Sequence, residues 1–451
     1  MFRLPTTATA PFCPSEVQGS IQVPAAASWW SKLKRFWGPG LLIAIGYMDP
    51  GNWATDIQGG SQFGYTLLWV VVLSSGGAIF LQLLAARLGL VTGQDLAQLS
   101  RTEYATVGRT VQWVSAEIAI VACDVAEVLG SALAFKLLLG MPIAWGVVLT
   151  AFDTVIVLGL QGRGFRQLEA IVAALIATMM LCFVVQLWLV QTDWLAVARG
   201  LVPIIPAHNR NDALVLALGI VGATIMPHNL YLHSSIVQTR HIIGGKNDIG
   251  QTLTLSRIDT LGALLIAMGV NAAILILAGS AFHATASTAV VGIEQAYRLI
   301  VPLVGSGAAL LFGLGLLASG QSSTLTGTIA GQVIMDGFLR KKIPCYQRRL
   351  ITRTLALVPA LIGVLMMGDG AVGKLLVWSQ VILSLQLPLA MWPLIRMTSN
   401  PAYMKAHANS LSVKLLAWVL FALITGANLV LLGSLAEAAP NTIAFNASEK
   451  G

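Results

Sequence analysis

The chain has 451 residues, 56% of them hydrophobic and only 10% charged, with a net charge of +8. Ordinary globular proteins carry roughly 25% charged residues, so too few charges remain to coat a soluble body of this size. The cations lie in short clusters between apolar runs, without a basic stripe interleaved with aromatics, which excludes a nucleic-acid surface.

Residues 1–36 contain no charged-then-apolar signal pattern and are rich in Pro, Ala, Ser and Thr, the composition of a disordered cytoplasmic tail. A bilayer is crossed by about 20 apolar residues in a helix. Segments of that kind follow near 38–63, 66–88, 110–139, 142–160, 168–191, 213–238, 257–280, 299–331, 350–367, 372–396 and 412–434. With the N-terminus inside, 21 of the 27 cations fall on the cytoplasmic side and six outside. That asymmetry supports an all-α, multi-pass protein of the cell (inner or plasma) membrane with eleven spans, N-in and C-out.

Two segments are interrupted at corresponding places, by Asp49-Pro50-Gly51-Asn52 and by Met226-Pro227-His228-Asn229. Proline removes a backbone hydrogen bond and clashes with the preceding turn, so each helix unwinds there. Freed carbonyls at membrane depth survive only where they line a cavity or bind a ligand. The broken segments open two successive groups of five, over 37–191 and 213–397, the signature of an inverted-repeat transporter with a site at the bilayer midplane. An extra helix 11 at 410–434 and an external tail at 435–451 lie outside the repeat.

The breaks offer the Asp49 carboxylate, the Asn52 amide oxygen, the Ala223 carbonyl freed by Pro227, and the Met226 thioether. Oxygen ligands alone suit Mg²⁺ or Ca²⁺, whereas a thioether favours softer transition ions. Plainer readings exist: a Met on an apolar helix is usually core filler, and Asp-Pro-Gly-Asn is ordinarily a surface turn. Inside a membrane segment the turn has no solvent to rely on. Cys13, Cys123, Cys182 and Cys345 are scattered and indicate neither disulfides nor a zinc site.

The stretch from Gly38-Pro39-Gly40 through Asp49-Pro50-Gly51-Asn52-Trp53-Ala54-Thr55-Asp56 to Ser61 resembles the first helix of the natural resistance-associated macrophage protein (NRAMP) family. Gly222-Ala223-Thr224-Ile225-Met226-Pro227-His228-Asn229 resembles its sixth helix, and Ser319 through Gln332 its transport signature. The resemblance runs in order from about residue 37 to 434. It implies proton-coupled Mn²⁺ or Fe²⁺ import by alternating access on a leucine-transporter-like 5+5 inverted-repeat fold with helices 1 and 6 unwound. The implied metal ligands are Asp49, Asn52, Ala223 and Met226, with Gln380 auxiliary. Gly46 and Trp53 are conservative departures, and Gly46 alters packing beside the site.

Proton coupling needs titratable groups. Glu117, Asp124 and Glu127 share one helical face by their spacings of seven and three, and Arg353 is a partner for them, either in a proton route or in a static ion-pair cluster. His228 beside the metal site is a candidate relay, and His233 is structural or gating. Pro50, Gly51 and Pro227 shape the breaks. The 319–332 signature reads as packing and gating rather than ligation. Asp153 and Asp259 have no assigned role.

Gly368–Leu375 nearly spells a phosphate loop but lacks the hydroxyl after Lys374, and no His-Glu-x-x-His occurs. No enzymatic activity, catalytic residue or tightly bound cofactor is expected. Protons, the transported metal and the bilayer are the expected partners, without nucleic acid or an obligatory protein. Two rivals are an organic-solute symporter, whose carboxylate substrate Asp49 would repel, and a channel, which needs a continuous polar pore.

Overall fold

The computed structural model describes residues 18–159, 165–206, 209–243, 249–283, 292–339, 345–368 and 372–448. The chain starts with strand β1 (Ile21–Pro24) and helix α1 (Trp29–Phe36), then breaks the first apolar segment into α2 (Pro39–Gly46) and α3 (Pro50–Phe63). Helices α4 (Leu68–Thr92), α5 (Leu96–Glu103), α6 (Thr106–Leu139), α7 (Ile143–Gly159) and α8 (Phe165–Leu189) follow. After α9 (Trp194–Arg199), the second broken segment forms α10 (Arg210–Thr224) and α11 (Pro227–Ile236), and β2 (Arg240–Ile243) closes it. The remainder comprises α12 (Ile249–Ala281), α13 (Ile293–Val304), α14 (Ser306–Leu339), α15 (Cys345–Met367), α16 (Val372–Ser399), α17 (Pro401–Met404) and α18 (Leu411–Ser448).

Among the described residues, eight stretches are long and apolar enough to cross a membrane: α4, α6, α8, α10–α11, α12, α14, α16 and α18. The shorter apolar helices within α7 and α15, and the broken α2–α3 pair, account for the other three expected segments. Both breaks fall where proline dictates. Asp49 caps α3 ahead of Pro50 at the first helical position, and extended Met226 precedes Pro227 at the start of α11.

Three boundaries differ from the sequence reading. The 1–36 tail is not structureless over 18–36: β1 pairs in parallel with β2, Ile21 against Arg240 through Pro24 against Ile243. Val23 and Phe36 then join Ala86, Val237 and Leu255 in a buried cluster. The signal was a four-residue strand whose partner lies over 200 residues away, which no local periodicity reports. The segment expected at 299–331 merges two helices. Gly305, at φ +100°, separates α13 from α14, and both sides are apolar enough to hide the join. The helix expected to end at 434 continues, as α18, to Ser448.

At one end of the bundle, Asp259 of α12 accepts hydrogen bonds from Gly38 N (2.9 Å) and Gly40 N (2.7 Å), capping α2 from another helix. Beside it, buried Arg240 pairs with Glu169 of α8 and donates to the carbonyls of Phe36 and Trp37. A Cβ on Gly40 would meet the Asp259 carbonyl at 2.6 Å, so this approach requires glycine. Asp259 therefore has a structural contact the sequence did not supply. The Asp153 side chain and the loop 369–371 lie outside the described residues.

Candidate metal site

The unwound turns expose carbonyls whose partners can be followed one by one. Asn271 Nδ2 donates to Tyr47 O at 2.8 Å, and Ser319 Oγ donates to Met48 O at 2.6 Å. The transport-signature helix α14 thus satisfies the first break directly, while its Gly320 packs where a Cβ would meet Ser131 Oγ at 2.3 Å. In the second break, Ala223 O accepts from Asn52 Nδ2 at 3.0 Å.

Asn52 is the link between the two breaks. Its Nδ2 also donates to Asp49 Oδ1 at 2.7 Å, and its backbone N donates to the same oxygen at 2.9 Å. Asp49, Asn52 and the Ala223 carbonyl, some 170 residues apart in sequence, meet in one buried spot. Asp49 Oδ2 is buried without a hydrogen-bond partner among the described residues. An orphaned buried carboxylate oxygen costs more than about 1–3 kcal/mol; a cation would remove that cost.

Gln380 completes the wall on the α16 side. A Cβ on Gly51 would stand 1.9 Å from Gln380 Nε2 and 2.9 Å from Asp49 Oδ2, while one on Gly222 would meet the Gln380 carbonyl at 2.7 Å. α16 therefore leans on both broken segments, and Gln380 Oε1 is also without a hydrogen bond among the described residues. Met226 is fully buried with Ala119, Cys123 and Leu383. Cys123 in turn lies 3.7 Å from Nε2 of His228, two residues beyond Met226 on the second broken segment. The residue types in this region, a carboxylate, two amides, a freed carbonyl and a thioether, include both hard and soft donors, with the Asn52 amide presenting its N–H groups to Asp49 and Ala223.

The expected acids divide. Asp124 and Glu127 are buried against Gly327 of α14, where a Cβ would lie 2.9 Å from Asp124 Oδ1 and 3.0 Å from Glu127 Oε1. Arg353, buried on α15, is within electrostatic reach of both and donates to Thr150 O at 3.1 Å. Glu117 is only half-buried and accepts from Trp113 Nε1 at 2.9 Å beside an apolar crevice. One helical stripe therefore passes through two environments.

Sequence reasoning missed Cys123. Its Sγ is 3.7 Å from His228 Nε2 and 3.5 Å from Glu127 Oε1, so it stands between the second break and the acids. His228 Nδ1 has no partner among the described residues. Asp56, two turns beyond Asp49 on the same face of α3, is likewise buried with both oxygens unpartnered among the described residues. His233 is not at the site: its Nδ1 is 2.9 Å from Gln82 Oε1, Gln82 Nε2 donates to the Tyr47 hydroxyl at 2.8 Å, and Thr260 approaches the other ring nitrogen at 3.5 Å. It fastens α11 to α4 and α12.

A sequence profile described as natural resistance-associated macrophage protein-like matches residues 40–434. A Pseudomonas aeruginosa protein named divalent metal cation transporter MntH 1 is 61% identical over 434 residues, covering 96% of this chain and 98% of that one. A crystal structure of a variant of the Eremococcus coleocola manganese transporter superposes with TM-score 0.87 at 38% identity, covering 94% of this chain and 91% of that chain. Mhp1, a nucleobase-cation-symport-1 family transporter, shares the fold with TM-score 0.59 at 16% identity over 97% of this chain and 96% of that one. The architecture is the leucine-transporter-like 5+5 inverted repeat with its first and sixth helices broken.

Proposed function

Because the chain belongs to the natural resistance-associated macrophage protein family, we propose that it is a secondary active importer of divalent transition metals, Mn²⁺ or Fe²⁺, coupled to protons. The observation that carries the reading is the bridge from Asn52 to Asp49 and Ala223, which draws the two broken segments onto one point. There an amide N–H stands between two oxygens. Turned over about its terminal torsion, the Asn52 amide offers Oδ1 to a cation held by Asp49, Ala223, Met226 and Gln380. One carboxylate gives moderate affinity, suited to a carrier that must release its cargo.

Protons pass from His228 through Cys123 to Glu127 and Asp124, and Arg353 holds the acids' charge in place. An inside-negative potential of 100 mV contributes roughly 4.6 kcal/mol for a dication entering the cell, and a proton adds to it. The protein works by alternating access in the cell inner or plasma membrane with its N-terminus cytoplasmic, as the cation asymmetry supports.

Uptake of Mn²⁺ into proteoliposomes under an imposed pH gradient, with Fe²⁺ and Ca²⁺ as competitors, tests the reading. Uptake should saturate, accelerate with the gradient and vanish in Asp49→Asn. Wild-type rates in that variant would remove the site, and uptake that never saturates would make the protein a pore.

A further inference from the structure

Two arginines stand together in the bundle without a carboxylate between them among the described residues. Arg87, near the C-terminal end of α4, and Arg257, in the third turn of α12, are close enough for their like charges to repel. They line one cleft of about 210 Å³ together with Phe80, Leu83, Leu253 and Val413, drawn from α4, α12 and the start of α18. Among the described residues no aspartate or glutamate lines it. Arg87 reaches the neutral amide oxygen of Asn409, while its Nε is buried without a hydrogen bond among the described residues. Arg257 is exposed at the rim.

The depth of this cleft follows from its neighbours. Ala86, next to Arg87, and Leu255, two residues before Arg257, pack in the same cluster as Phe36 of α1. α1 exposes Trp29 and Trp30 and carries exposed Lys34 and Arg35 in its last turn, the pattern of a helix lying where acyl chains meet headgroups. The arginine pair thus sits at headgroup level, with an apolar wall below it. Guanidinium groups bind phosphate oxygens in forked pairs, and basic pockets between membrane helices take anionic headgroups.

We infer that this cleft is a binding site for an anionic phospholipid, with the phosphate on Arg87 and Arg257 and an acyl chain along Phe80, Leu83, Leu253 and Val413. The lipid relieves the repulsion between the arginines and joins α18 to α4 and α12. A free phosphate would answer the charge but leave the apolar wall unused.

The full-length protein in detergent, given phosphatidylglycerol, phosphatidylcholine or inorganic phosphate, tests this by native mass spectrometry and thermal unfolding. Wild type should retain phosphatidylglycerol and gain several degrees from it, with no gain from the other two. Arg87→Gln/Arg257→Gln should lose both effects, and Arg87→Lys/Arg257→Lys should keep part of them. Leu83→Trp, which fills the groove but leaves both arginines, should also lose the lipid, and it answers the question if the double glutamine variant does not fold. Equal phosphatidylglycerol retention in wild type and variants overturns the proposal, as does a phosphate effect equal to that of the lipid.

Discussion

The thiol of Cys123 stands 3.7 Å from Nε2 of His228, joining unbroken α6 to the first turn of α11 beside the proposed metal site. The same sulfur approaches Glu127 Oε1 at 3.5 Å, so a residue with no sequence signal connects His228 to the acids. Cys123→Ala should slow proton movement by about tenfold or more while leaving metal affinity nearly unchanged, since a proton relay depends on unbroken contact. A pH-sensitive dye inside proteoliposomes and a calorimetric Mn²⁺ titration measure the two effects separately. Proton flux at the wild-type rate would make the thiol a packing residue.

Asn52→Asp sets a second carboxylate at the 2.7 Å contact with Asp49. Two buried carboxylates that close cannot both stay ionised without a cation. Mn²⁺ should bind more tightly and turn over more slowly, lowering KM and kcat together. A raised KM in the uptake assay would show that the amide serves another purpose.

Met226→Ala removes the sulfur from its cluster with Cys123 and Leu383. The remaining donors are oxygens, which suit Ca²⁺ better than a thioether does. Competition by Ca²⁺ against Mn²⁺ uptake should strengthen by about tenfold, an amount set by roughly 1.4 kcal/mol of lost discrimination. Unchanged competition would place selectivity elsewhere.

Gly51→Ala drives a methyl group into Gln380, whose Nε2 it would meet at 1.9 Å. The glutamine must leave its place beside Asp49, so transport should fall while the protein still folds, because the displaced atom ends a flexible side chain. Gly130→Ala is the harsher test, since its Cβ would lie 2.2 Å from the rigid ring of Pro50. Uptake rates alongside size-exclusion profiles separate loss of function from loss of fold.

Asp95 lies outside the membrane spans, where it caps α5 by accepting from Gln98 N at 2.8 Å. Burial raises its carboxyl from 3.8 to about 7. The stability this neutral form contributes is complete below about pH 4, drains as pH rises, and is gone above about pH 7. Asp95→Asn keeps the capping oxygen and cannot ionise, so it should gain about 1 kcal/mol on wild type between pH 6 and pH 8. Unfolding midpoints at the two pH values give the comparison, and a parallel pH profile would count against it.

The broken helices were legible because Pro50 and Pro227 act locally: each proline disrupts the turn before it, whatever surrounds it. The apolar spans were legible because lipid imposes a length. Cys123 was not, because a lone cysteine acquires meaning only from the neighbours that folding supplies. Glu117 was grouped with Asp124 and Glu127 by helical spacing, which fixes direction but not what lies opposite. α14 covers the two deeper acids, while Glu117 faces a crevice bordered by Trp113 and Trp378. The Glu169–Arg240 pair and the Asp259 cap were equally hidden, being contacts across separations of 71 and about 220 residues.

The ladder between β1 and β2 sets a practical limit on where the gene can be trimmed. A clone beginning at residue 25 would strip Val23 from its apolar nest and leave the edge at Arg240–Ile243 open to strand addition by another molecule, one turn beyond the half-helix that carries His228. Affinity tags therefore belong ahead of Gln18, whose side chain already meets Gln238 at 3.1 Å.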